Sequence, residues 1–164
     1  MAQSKSTNAP PQVRSLSLTN FRGFKNAQGI SLAPLTFLVG PNSAGKSSLF
    51  DALLLIAQSQ FTISERKQVP NWSGPLVDLG TFRDCVYRHD ANLLIQIGVE
   101  YSPHFAASAY KSDVSQSMRS DFEFRTTLDD PIGRLSAIKV TDVLTAEHMT
   151  FSLYRWFRER QRHG

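Results

Sequence analysis

Only one cysteine, Cys85, stands among 164 residues. It can form no internal disulfide and no cysteine-based metal cluster, so nothing in the chain demands an oxidising compartment. Long apolar runs are also missing. The longest, Ala52–Ala57, is far short of the roughly 20 residues a membrane-spanning helix needs. This excludes a helical membrane protein and leaves no membrane among the expected partners. Residues 1–12 are polar, include Pro10 and Pro11, and lack the apolar core of a signal peptide. A flexible leader is expected there, and a cytoplasmic location with it. Against these absences, 41% of the residues are apolar and 20% charged, which suits one folded domain rather than a disordered chain.

Carboxylates are absent from the first 50 residues, which hold Lys5, Arg14, Arg22, Lys25 and Lys46. A second basic cluster, Arg155, Arg158, Arg160 and Arg162, sits against Glu159 at the end. The stretch between them is net acidic, although the whole chain is +4. The front of the chain is therefore suited to an anion. Nucleotide phosphates meet that need at short range, and DNA is a second partner that the charge allows over a wider patch.

Hydrophobic spacing divides the chain into elements. Arg14–Thr19 reads as a short strand, and Asn20–Gly29 as a polar, glycine-spaced connection that leads to a strand starting near Gly29. Leu35–Val39 is apolar at nearly every position, the pattern of a strand covered on both faces. From Lys46 to about Gln60, Leu49, Phe50, Leu53, Leu54 and Ile56 nearly encircle a helix axis, so a largely buried helix is expected. Glu65–Gly80, with Pro70, Gly74 and Pro75, reads as a loop. Leu93–Tyr101 alternates cleanly, as a half-wet antiparallel strand does. Asp129–Gly133 reads as a turn before a strand over Leu135–Val143. From Glu147 onward Met149, Leu153 and Trp156 recur at helical spacing. Together these predict an α/β fold with a mixed sheet and an antiparallel portion.

The sharpest signal is Gly40-Pro41-Asn42-Ser43-Ala44-Gly45-Lys46-Ser47, which matches G-x-x-x-x-G-K-[ST] without a gap. A predicted strand enters it and a predicted helix leaves it. Tight wrapping would aim successive backbone N–H groups at a β-phosphate, and the helix N-terminus adds unpaired N–H groups. Lys46 is expected to reach the β- and γ-phosphates as the catalytic cation, and Ser47 to ligate Mg²⁺. Ser48 either contacts a phosphate or caps the first helical turn. Expected ligands are thus ATP and Mg²⁺.

The surroundings carry a resemblance. Leu18-Thr19-Asn20-Phe21-Arg22-Gly23-Phe24-Lys25, Leu32–Val39 and Gly40–Leu53 resemble the start of an ATP-binding-cassette head domain of the SMC, RecF and OLD branch. Val77–Asp90 resembles a bacterial subgroup labelled "AAA family ATPase". The resemblance spans residues 16–90. It implies that Asn42, Ser43, Ala44, Gly45, Lys46, Ser47 and Ser48 contact phosphate and metal, and that Arg22 lies near the nucleotide. Phe24 falls either near the base or in the core. It also implies DNA repair, chromosome handling or antiphage defence, with ATP held between two heads. Gln58 lies about 18 Å along the helix from Lys46 and is not assigned as a magnesium-sensing residue.

A complete head needs an apolar strand delivering an Asp to Mg²⁺, then a Glu that activates water, and a Ser-Gly signature loop. No such segment is found after residue 100. Asp129-Asp130 comes after the polar Thr126-Thr127, and Pro131 suggests a turn. Residues 13–164 are therefore expected to form the amino-terminal lobe of an incomplete head, partnered by a second head or a missing carboxy-terminal lobe. The alternatives are a nucleotide-binding or interaction module without turnover, and a truncated product. No guanine-reading motif is present either, which favours adenine. The histidines stand too far apart to suggest a metal site.

Overall fold

The computed structural model describes residues 12–42, 45–59, 69–102, 117–127 and 130–152. Six strands form one sheet: β1 (Gln12–Phe21), β2 (Phe24–Ser31), β3 (Ile95–Ser102), β4 (Met118–Thr127), β5 (Asp130–Asp142) and β6 (His148–Ser152). The spatial order is β2-β1-β3-β4-β5-β6, and every described pairing is antiparallel. The expected mixed sheet is thus corrected to an antiparallel one among the described residues. One long helix, α1 (Lys46–Ser59), and one short one, α2 (Phe82–Cys85), complete the regular structure of the described residues with a 3-10 turn at Tyr87–His89.

Alternation decides the two faces. Leu16 pairs with Val99 and Leu18 with Ile97, and Ile97 in turn pairs with Phe122. These side chains share one face, onto which Ala52 and Leu55 of α1 pack. The segment 69–86 adds Trp72, Leu79, Phe82, Cys85 and Val86 to the same core. Trp72 sits edge-on to Phe82, with ring centroids 5.7 Å apart, and to Phe124, at 5.8 Å. The opposite face is polar. Ser15 Oγ and Ser117 Oγ donate to the Glu100 carboxylate at 3.1 and 2.7 Å, and Gln96 Nε2 donates to Glu123 at 2.8 Å. Arg119 reaches Ser17 Oγ at 2.5 Å and Asp121 at 2.7 Å. Such cross-strand pairs fix the register on the wet side.

Four local expectations change. Phe24 already opens β2, because Arg22-Gly23 alone turns the chain and Phe21 pairs with Phe24. The turn before β5 is shorter than Asp129–Gly133: Asp130 already pairs with Thr127, while Asp129 lies outside the described residues. His148–Ser152 is a strand rather than the start of a helix. Val140 faces Met149 and Ile138 faces Phe151, so pairing to β5 outweighs the helical spacing. The rest of that expected helix, 153–164, and the leader up to residue 11 lie outside the described residues, whereas Gln12 belongs to β1. Finally, α1 is not buried all round. Ser48, Ala52, Leu55 and Ser59 form its buried stripe, while Phe50 is 57% exposed.

Cys85 is fully buried, and burial pushes its thiol up to about 12, with the nearby Arg22 pulling the other way. Its fold contribution is therefore fully present below about pH 9, the ordinary thiol value, and is lost as pH rises from there toward 12. Iodoacetamide at pH 8 should leave Cys85 unlabelled in the native chain and label it in urea. Rapid native labelling at a rate matching the unfolded chain would refute this placement.

Candidate functional site

The approach to the loop departs most from the expected strand. β2 ends at Ser31, and Leu32 N donates to Arg14 O at 2.7 Å. Thr36 Oγ1 then closes a turn, accepting from Ala33 N at 2.8 Å and donating to Ala33 O at 3.2 Å. Leu35–Val39 pairs with no strand of the described sheet, whose outer strands are β2 and β6. Its side chains stand out: Leu35 is 73%, Phe37 78% and Val39 90% exposed. The apolar composition predicts a covered strand, and the structure overturns it: only Leu38 of the segment is half-buried.

The loop itself is shaped by its glycines. Gly40 has φ 151° and Gly45 φ 84°, and the second value is left-handed. A Cβ on Gly45 would also meet Phe24 Cζ at 2.9 Å. Phe24 therefore does two things: it packs against the core and it forms a wall of the loop. A recess of about 280 Å³ opens there between Phe24, Phe37, Leu38, Val39, Lys46 and Leu49.

Lys46 is the first residue of α1, and its ammonium folds back to donate to Gly40 O and Pro41 O, each at 2.7 Å. The cation thus lies across the mouth of the loop at the positive end of the helix. Ser47 lies beside it, exposed, while Ser48 falls on the buried stripe, its N–H bonded to Gly45 O at 3.0 Å. Asn42 is exposed, and Ser43 and Ala44 lie outside the described residues.

Arg22 comes to the same helix from the hairpin. It occupies the β1–β2 turn at φ 50°, its N–H held by Cys85 O at 2.5 Å. Its guanidinium pairs with the Asp51 carboxylate, with side-chain exposures of 32% and 14%. Asp51 lies four residues beyond Ser47, so the two share a helix face about 5–6 Å apart. Arg22 is thereby brought within one helical turn of Ser47. Residue-by-residue reading does not single out Asp51. A signal exists all the same, since Asp51 is the first carboxylate after 50 residues without one.

Gln58 proves to be a clamp. Its Nε2 donates to Asn71 O at 2.5 Å and to Val77 O at 3.0 Å, and its Oε1 accepts from Leu76 N at 3.2 Å and Val77 N at 3.0 Å. One side chain thus ties the end of α1 to the segment 71–77, which a short-range spacing argument cannot show. Among the described residues no three His, Cys, Asp or Glu side chains gather as a metal cluster, and no helix is long and apolar enough to cross a membrane.

A family model described as "AAA ATPase domain" matches residues 12–153. The chain belongs to this family of P-loop nucleoside triphosphatases. Over 62 residues it is also 36% identical to the DNA replication and repair protein RecF of Desulforamulus reducens. That alignment covers 37% of this chain and only 17% of the RecF chain.

Proposed function

We propose that Gly40–Ser47 binds ATP-Mg²⁺ as part of an ATPase head of the SMC, RecF and OLD type. The observation that carries this is the convergence of Lys46, Ser47 and the Arg22–Asp51 pair on the first turns of one helix. Backbone N–H groups from Asn42 to Gly45 cradle the phosphates, as the loop motif requires. Lys46 exchanges its two carbonyl bonds for β- and γ-phosphate oxygens. Ser47 ligates Mg²⁺, and Arg22 places positive charge near the terminal phosphate. Ser48, on the buried stripe, acts through its backbone.

Turnover needs a carboxylate that holds Mg²⁺ and another that activates water. Asp51 does not serve, since Arg22 engages it. A carboxy-terminal lobe or a second head supplies these groups, and the exposed Leu35, Phe37 and Val39 offer the apolar surface on which that lobe packs. The likeness to a DNA replication and repair protein supports a DNA-linked role, and a cytoplasmic location stays part of this reading. Antiphage defence is the alternative role that the resemblance to the SMC, RecF and OLD branch allows.

The second reading, a nucleotide-binding module without turnover, is favoured for these residues alone by the occupied Asp51. Calorimetry should show ATP bound in preference to GTP. Phosphate release by the chain alone should stay far below ~1 s⁻¹, the low end of ordinary enzymes. Release near that rate that vanishes in Lys46→Ala would instead establish a complete catalytic site. No ATP binding would remove the loop from function.

A further inference from the structure

The Arg22 guanidinium meets Asp51 through one nitrogen, Nη1, on one carboxylate oxygen, Oδ2. A guanidinium carries five N–H donors in a rigid fork, so this contact leaves part of the fork for a further acceptor. We infer that Asp51 is a positioning residue: it holds Arg22 so that the rest of the fork meets the terminal phosphate of a nucleoside triphosphate. Asp51 thereby sets the preference for triphosphate over diphosphate. The inference rests on the ATP reading of the loop and gives Asp51 a role that the loop motif does not contain.

Three observations support this. The first is how firmly the base of Arg22 is held. Its N–H donates to Cys85 O at 2.5 Å, and the preceding residue, the buried Phe21, bridges to Val86. Its backbone is left-handed at φ 50°, which is uncommon for a residue with a side chain. The backbone is therefore fixed, and only the side chain is left to be aimed. The second is the gradient of exposure across the pair. Asp51 is the buried end and Arg22 the more open one, and the neighbour of Asp51 on α1, Ala52, is fully buried. The carboxylate is thus a fixed post, and the guanidinium faces outward from it. The third is the absence of a rival charge at Cys85. Burial holds that thiol protonated well above neutral pH, with Arg22 beside it. A neutral thiol does not compete with the carboxylate for the cation.

A tie between the hairpin and α1 does not account for the pair. Leu16, Leu18 and Phe21 already share one core with Ala52 and Leu55, and a partly exposed ion pair adds little to a fold. The value of Asp51 lies in preorganisation. An arginine side chain loses considerable rotamer freedom when it is ordered, and a carboxylate that orders it beforehand removes that cost from nucleotide binding. The benefit falls on the terminal phosphate. The β-phosphate, which a diphosphate shares, is met by Lys46 and the loop N–H groups.

The test is calorimetric titration of the whole chain with ATP and with ADP, each with Mg²⁺. Asp51→Asn should lower the ratio of ATP to ADP affinity by roughly three- to tenfold, the scale of coupling between residues in contact. Removing a negative charge near phosphates acts on both nucleotides in one direction, so the ratio isolates the terminal phosphate. Arg22→Gln should lower the ratio by at least as much. Asp51→Asn added to Arg22→Gln should then change it no further, because Asp51 acts through Arg22. Asp51→Glu keeps the charge and should restore most of the parent ratio. Should Asp51→Asn fail to fold, the glutamate variant decides: recovery of the fold without the parent ratio overturns the inference. A ratio unchanged in Asp51→Asn, or one that rises because the carboxylate was holding Arg22 away from the phosphate, also overturns it. Failure of the loop reading looks different. It appears as no nucleotide binding, or as binding that Lys46→Ala leaves intact, and it removes this inference as well. Lys46-dependent binding with a ratio indifferent to Asp51 removes this inference alone.

Discussion

Replacing Lys46 with alanine should lower ATP affinity by roughly 10- to 150-fold, because charge-assisted hydrogen bonds are worth about 1.5–3 kcal/mol. The cation does little for the resting fold. Its two bonds go to the exposed carbonyls of Gly40 and Pro41, which water can satisfy when the ammonium is gone. The loss should therefore appear in calorimetric titration while circular dichroism and thermal unfolding stay nearly constant. Equal heats and affinities in parent and variant would strip Lys46 of its assigned role. A variant that no longer folds would contradict the view that Lys46 contributes little to the fold.

Phe82→Ala should be the most destabilising of the simple truncations near the site. Phe82 is fully buried, sits edge-on to Trp72, and lies so close to Gly133 that a Cβ there would approach its ring at 2.5 Å. It joins the segment 69–86 to the hairpin of β4 and β5. Emptying such a position costs about 3–5 kcal/mol, or roughly 6–20 °C in Tm for a chain of this size. Trp72 fluorescence should shift to the red as its edge becomes wetter. Phe37→Ala is the matched control. Phe37 is 78% exposed, and a surface truncation is usually within about 0.5 kcal/mol of neutral. Similar losses from the two variants would mean that the core is not where the structure puts it.

Legibility in the sequence tracked the range of the interactions. β3 was readable because alternation from Leu93 to Tyr101 reports one wet and one dry face, a property of each residue and its neighbours two away. α1 was readable for the same local reason. Glycines at fixed positions, a lysine and a serine at the helix start, and apolar residues after it specify one turn and one helix. The Leu35–Val39 strand failed because a strand also needs a neighbour, and composition does not say which edge is free. The helix from Glu147 failed because Met149 and Phe151 serve period 2 when β5 offers a partner and period 3.6 when nothing does.

Short spacings alone therefore specify the loop motif, the helix behind it, the half-wet strand and the lack of disulfide chemistry. Tertiary packing was needed to hold Arg22 on Asp51 one turn from Ser47 and to clamp residues 71–77 with Gln58. Ion pairs and clamps join residues that are distant in the chain. Their geometry is set by sheet register and helix docking, which no local spacing encodes.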